Sequence, residues 1–250
     1  ERVVLIELPH GKWGANPIRN IEEELTEKLL QVQSELGSRI LFISLEDNYH
    51  LKHSNECRAY IFPDEVQVST DSFSQSVDMI VDYATGNRNK WQQCNKKVLL
   101  VCTHGKRDKC CAKFGYPIFE EARRLSKSDD RYKDIDVWRV SHLGGDRHAP
   151  NTLILPFGHM HCRLDVSMAK DLLESTRGDE NLKLLDCYRG NFFCASDMDI
   201  SYADCIARKV KHGNTITGDY KVSDIIKSGK MENIKESNAS KNLKFTIEFD

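Results

Sequence analysis

The sequence predicts an α/β fold of two tandem units, each a mixed sheet flanked by helices, and three observations predict it. At 250 residues the chain exceeds one minimal domain and suits two compact ones. Two stretches resemble each other. Val3-Val4-Leu5-Ile6-Glu7-Leu8-Pro9-His10-Gly11-Lys12 and Val98-Leu99-Leu100-Val101-Cys102-Thr103-His104-Gly105-Lys106 both read as a strand entering a glycine loop ahead of a helical pattern. Apolar residues at 40% and charged residues at 30% supply a core and are too balanced for disorder.

In the first unit the opening strand leads to a helix in which Ile21, Leu25, Leu29, Val32 and Leu36 recur at helical spacing, with Gly37 as a stop. A strand over Ile40–Leu45 follows, then Arg58–Phe62 and Glu65–Val68, and a closing helix through Phe73, Val77, Ile80 and Val81. In the second unit the strand Val98–Val101 leads to a helix that takes Pro117 into its first turn and runs through Ile118, Ala122 and Leu125. Strands over Val137–Val140, Thr152–Leu155 and a short run from His159 to Leu164 follow, and Met168, Leu172 and Leu173 mark the closing helix.

The shared order is strand, helix, strand, hairpin, helix. A right-handed crossover makes the first two strands parallel and the hairpin adds antiparallel ones, which is a thioredoxin-like layout. The units are residues 1–90 and 96–210, with the join near Gly86–Asn95. A helix is expected around Tyr202–Val210. Residues 211–250 form a polar tail, expected to be mobile, with a terminal strand at Leu243–Phe249.

Composition narrows the function classes. Lys plus Arg at 36 against Asp plus Glu at 38 leaves a net charge of -2, so no overall field favours nucleic acid or a membrane surface. Nine cysteines is an odd number in a chain too large to need disulfide staples, so they read as reduced and the location as cytoplasmic. No stretch approaches the length of a membrane span. The chain opens on a strand without Met, which is expected of a fragment.

The chemistry-bearing residues concentrate at two strand ends. Cys102 ends one strand and Cys111 sits near the start of the next helix, so one loop can present both sulfurs to a metal centre. Arg107, Lys109 and the N–H groups of the helix start are expected to stabilise the thiolates, while Cys110 points elsewhere. A lone buried cysteine is by default a small hydrophobe, but three thiols beside His104, Lys106, Arg107 and Asp108 weigh against that. His142 follows the strand Val137–Val140, and Gly144-Gly145 lets the backbone bend around a bulky group. Thiolate plus imidazole suits zinc or an iron-sulfur cluster. His159 and His161 share one face of a strand with Cys162 on the other; a solvated strand is the favoured reading over a second metal face. Cys187, Cys194 and Cys205 match no compact zinc spacing and read as core or incidental thiols.

At these residues the chain resembles the sucrase/ferredoxin-like family, whose members have a thioredoxin-like ferredoxin domain. The resemblance rests on Cys102, His104-Gly105, Arg107-Asp108 and Cys111, then on Trp138, Ser141-His142, Gly144-Gly145, Arg147, Ala149-Pro150 and Leu153–Gly158. Arg163-Leu164-Asp165 and Tyr188-Arg189-Gly190 also look like family positions. What the resemblance implies is a 2Fe-2S cluster held by two cysteines and two histidines. Carried over, the ligands are Cys102, Cys111 and His142, with the fourth position on Asp146, where cluster-binding relatives have histidine. Aspartate is harder and anionic, which weighs against a stable cluster; His148 reaching in, or a different metal on three ligands, is the alternative.

The expected function is one-electron transfer with an unidentified redox partner protein or reductant, at a potential raised by histidine ligation. No catalytic residue is singled out. A thiol-based oxidoreductase using Cys102 or Cys111 is the second reading, although it lacks the Cys-x-x-Cys pair usual for that chemistry. A cluster-free binding scaffold is the third. The word sucrase in the family label carries no weight, because nothing in the sequence singles out the facing carboxylate pair that glycoside hydrolysis needs.

Overall fold

The computed structural model describes residues 2–45, 56–178, 182–193, 220–228 and 242–249. In chain order the elements are β1 (Arg2–Glu7), α1 (Glu23–Glu35), β2 (Ser38–Ser44), β3 (Cys57–Phe62), β4 (Val66–Thr70), α2 (Phe73–Ala84) and β5 (Gln92–Gln93). Then come β6 (Lys97–Cys102), α3 (Lys109–Ser128), β7 (Ile135–Val140), β8 (Asn151–Leu155), β9 (His159–Cys162), α4 (Ala169–Arg177), β10 (Tyr188–Asn191), β11 (Tyr220–Ser228) and β12 (Asn242–Phe249).

The mixed sheet flanked by helices that the sequence predicts is present, as one sheet of ten strands in the order β10-β9-β8-β6-β7-β2-β1-β3-β4-β5. β1 and β2 run parallel, as do β6 and β7, each pair joined by a crossover helix, while β3–β4 and β8–β9 are antiparallel hairpins. The halves meet where β2 and β7 pair antiparallel through Ile43↔Val140 and Ser44↔Arg139. Strand order therefore reads the same outward from that seam on both sides.

Strand β1 shows why these residues form a central strand. Val3, Val4, Leu5 and Ile6 are all fully buried, a continuous apolar run of the kind expected where both faces are covered. Alternation sends Val4 and Ile6 to the α1/α2 side, with Leu25, Leu29, Val32, Val77 and Ile80. Val3 and Leu5 go to the other side, where they join Tyr60 and Phe62 of their own half and Val98, Leu100, Trp138 and Leu153 of the second. Each such side chain contributes about 1.5–3 kcal/mol on burial.

That shared core requires the sheet to curl. Tyr60 on β3 and Trp138 on β7 are three strand steps apart, about 14 Å in a flat sheet, yet their ring centroids lie 6.4 Å apart. The helix-free faces of the two halves are folded onto each other, and each half keeps its own helix pair outside, with α3 and α4 packed over Leu99, Val101, Val137 and Ile154.

The helix ends follow local chemistry. Ser72 caps α2 by accepting from the Gln75 N–H, and Asp108 caps α3 by accepting from the Cys110 N–H at 2.7 Å. That cap corrects the expectation at Pro117, which lies inside α3 rather than in its first turn. Pro117 removes one intrahelical bond, and the burial of Cys111, Gly115, Ile118, Phe119 and Ala122 along the same helix outweighs it.

β11 and β12 form a separate antiparallel hairpin. The terminal strand was expected; β11 was not, because a register shift between Ser223 and Ile226 breaks its alternation. The helix expected around Tyr202–Val210 lies outside the described residues, as do Cys194 and Cys205.

Candidate metal centre

Cys102 is the last residue of β6, and Cys111 lies in the first turn of α3. Gly115 brings them together. A Cβ on it would lie 2.1 Å from the Cys102 carbonyl oxygen, so only glycine lets α3 rest directly on the end of β6. Gly105 makes a similar close approach, its missing Cβ falling 2.8 Å from that of Ala112.

His142 arrives from the end of β7. Ser141 is pinned to β2 by its N–H on the Phe42 carbonyl (2.8 Å) and by its hydroxyl accepting from the Phe42 N–H (2.9 Å). Arg39, also on β2, donates to the carbonyls of His142 (2.8 Å) and Leu143 (3.1 Å). The backbone then turns through Gly144 and Gly145, both left-handed at φ +85 and +72. Arg189 clamps this turn, donating to the Gly144 carbonyl (2.9 Å) and to Asn151 Oδ1 (3.0 Å), while Asn151 Nδ2 donates to the Gly145 carbonyl.

One donor atom each from Cys102, Cys111 and His142 lies within 4.8 Å of the others, and this is the one such group of three among the described residues. The Cys111 Sγ to His142 Nδ1 distance is 3.9 Å. Both cysteines are 1% exposed, whereas the His142 side chain is 19% exposed and forms the open edge. The Cys111 thiol donates to Cys102 and, with His142 and the backbone N–H groups of Leu143 and His104, holds the Cys102 thiol well below its ordinary range, against the opposing effect of burial. Donation to Cys102, reinforced by burial, pushes the Cys111 thiol up. Arg107 and Lys109, expected from sequence to stabilise the thiolates, are exposed; the groups acting on Cys102 are Cys111, His142 and the backbone N–H groups of Leu143 and His104.

The remaining sequence candidates take other positions. Asp146 Oδ1 stands 4.0 Å from His142 Nε2, facing the ring nitrogen that is not turned to Cys111. His148 Nδ1 pairs with Arg163 Nη2 at 3.1 Å. His104 is fully buried; its Nε2 donates to the Gly14 carbonyl (2.8 Å) and its Nδ1 accepts from the His142 N–H (3.3 Å). Burial lowers its pKa, so it serves as a neutral strut between the halves. Cys187 is buried in the α3/α4 core. The solvated-strand reading of His159 and His161 is overturned at His161, which is 4% exposed because it faces Thr152 and Tyr188 across the ladder. Burial drives its pKa down to about 3.

Arg39, Gly115 and Asn151 went unread in the sequence. A glycine inside a helical run flanked by Phe114 and Tyr116 was the available signal for Gly115; nothing local marks Arg39, whose partners lie 103 and 104 residues away.

Among known proteins, a 67-residue stretch is 37% identical to "Altered inheritance of mitochondria protein 32" of the yeast Debaryomyces hansenii, covering 27% of this chain and 24% of that protein. The chain thus spans about a quarter of that relative's length. Among solved structures, the thioredoxin-like 2Fe-2S ferredoxin of Aquifex aeolicus aligns at 12% identity over 36% of this chain and 90% of its own, with a TM-score of 0.32. A cysteine-to-serine variant of that ferredoxin aligns at 11% identity over 38% of this chain and 99% of its own, with a TM-score of 0.34. The profile of the sucrase/ferredoxin-like family matches residues 1–190, which take in both halves of the sheet and the whole Cys102, Cys111 and His142 site, and the chain belongs to that family.

Proposed function

We propose that this chain holds a 2Fe-2S cluster on Cys102, Cys111 and His142 and passes single electrons to and from a redox partner. The observation that carries the reading is the convergence of two buried thiols and one imidazole where the parallel strands β6 and β7 end and α3 begins. Two thiols beside an imidazole form a soft donor set that suits iron. Family membership supports the same reading.

When bound, the cluster supplies a one-electron carrier. The chain's own residues do the rest. Cys102 and Cys111 sit where water is excluded, Arg39 and Arg189 fix the loop carrying His142, and the exposed edge of His142 is the face nearest solvent. With Nδ1 turned to the sulfurs, Nε2 faces Asp146, a carboxylate placed to orient the ring. We assign Asp146 this role, and the fourth ligand position lies outside the three converging donors.

A second reading, a single four-coordinate ion such as zinc with an open position, is favoured by the mutual spacing of the three donors. The two separate cleanly. Anaerobically purified protein is expected to be coloured and to give a rhombic EPR signal on one-electron reduction; a colourless protein with one zinc per chain overturns the cluster. An odd number of cysteines, nine, in a chain too large to need disulfide staples fits a reducing compartment such as the cytoplasm. Among the described residues no helix is long and apolar enough to cross a membrane.

A further inference from the structure

Resting on the electron-carrier reading, we propose that the first two turns of α3 and the loop before them are the docking surface for the redox partner, and that the partner presents an acidic face. Cys111 and Gly115 point inward onto Cys102, so the same turns expose their other side. That side carries Lys109, Cys110, Lys113, Phe114 and Pro117, all exposed, with Phe114 45% accessible despite its size. Residues spaced by three and four share one face of a helix, so Cys110, Lys113, Phe114 and Pro117 form one stripe.

The charge at this place is mostly positive, with Asp146 beside His142 as the carboxylate at its edge. Residues 106–113 hold Lys106, Arg107, Lys109 and Lys113 against Asp108 alone, in a chain whose net charge is -2. Asp108 is committed to capping α3, and the Lys113 ammonium lies 5.1 Å from the centre of the Phe114 ring. The same rim continues to the exposed ligand, since Arg107 and His142 line one cleft of ≈ 260 Å³ with Asn16 and Gln33. A basic collar around an exposed aromatic, on the outer side of the turn that carries a metal ligand, is complementary to an acidic protein surface. It would steer that surface to the turn carrying Cys111, where a bound cluster would take up the electron given by the reduced partner. Phe114 supplies the apolar anchor.

The test uses the full chain with K109E/K113E, F114A and, as a distant control, K90E at the far end of the sheet. Two probes are read at low and high salt: an acidic flavodoxin in its reduced form, followed by stopped-flow reduction of the cluster-loaded protein, and a fluorescent oligoglutamate peptide, whose binding needs no metal. K109E/K113E is expected to slow reduction about tenfold at low salt, with an unchanged visible spectrum and a difference that vanishes at high salt. The same variant is expected to weaken peptide binding, F114A to slow reduction at both salts, and K90E to behave as wild type. Equal reduction rates for K109E/K113E and wild type at low salt overturn the proposal, as does charge-dependent binding to phosphatidylserine vesicles with no effect on the flavodoxin. Failure to load any cluster sinks the electron-carrier reading instead, and the peptide arm still decides the surface.

Discussion

The two halves of the sheet use one scaffold for opposite purposes. Leu5 faces Tyr60 on the neighbouring strand as Leu100 faces Leu153. Two residues further on, the first half places Glu7, bonded to Arg58, where the second places Cys102. Across the hairpins, Ala59 faces Val68 in the first half and Thr152 faces His161 in the second. The second half has taken on thiols and imidazoles. The first contributes the frame: the Gly14 carbonyl that orients His104, and Arg39, which grips the backbone of His142. The half without the converging donors still fixes where those donors sit.

The largest expected effect breaks this comparison outright. Replacing Cys102 by Ser makes the end of β6 as poor in soft donors as the end of β1, and metal content and visible absorption should fall to background while the circular dichroism is retained. Next, Gly115→Ala forces a Cβ against the Cys102 carbonyl and should cost about 1–3 kcal/mol in denaturant unfolding. Gly11→Ala, in the first-half loop that matches the one carrying Gly105, with nothing within 4 Å of the added atom, should stay within about 0.5 kcal/mol of wild type.

His161 sharpens the contrast by pH. Its folded pKa lies far below its ordinary value, so the unfolded chain binds the extra proton and stability falls as pH drops from about 6.5 toward 3. The slope from this group is about 1.4 kcal/mol per pH unit, and His161→Val, which copies Val68 of the first half, should remove it. Acid titrations of unfolding midpoints for the two proteins that remain parallel would refute the burial argument. Arg39→Ala is expected to cost about 1.5 kcal/mol, read together with faster loss of metal to a chelator.

These comparisons also show what the sequence makes legible. Helical periodicity marked α1, and short apolar runs marked β1, β3 and β8, because burial leaves a local pattern. The union of the halves left none: it depends on two residue pairs, Ile43↔Val140 and Ser44↔Arg139, and on a curl that joins Tyr60 to Trp138. Soft donors at strand ends pointed to Cys102, Cys111 and His142 because thiol and imidazole chemistry is visible in residue type. The side of the ring that Asp146 faces is a matter of a left-handed Gly144-Gly145 turn held by Arg189, an interaction spanning 45 residues.

The central claim is that Cys102, Cys111 and His142 converge to hold iron and sulfide. Iron and acid-labile sulfide measured side by side in anaerobically purified wild type and Cys102→Ser test it most directly. The account predicts iron and sulfide in equal amounts in the wild type and neither in the variant. Wild-type protein that carries no sulfide, or a variant that keeps its iron, would contradict it.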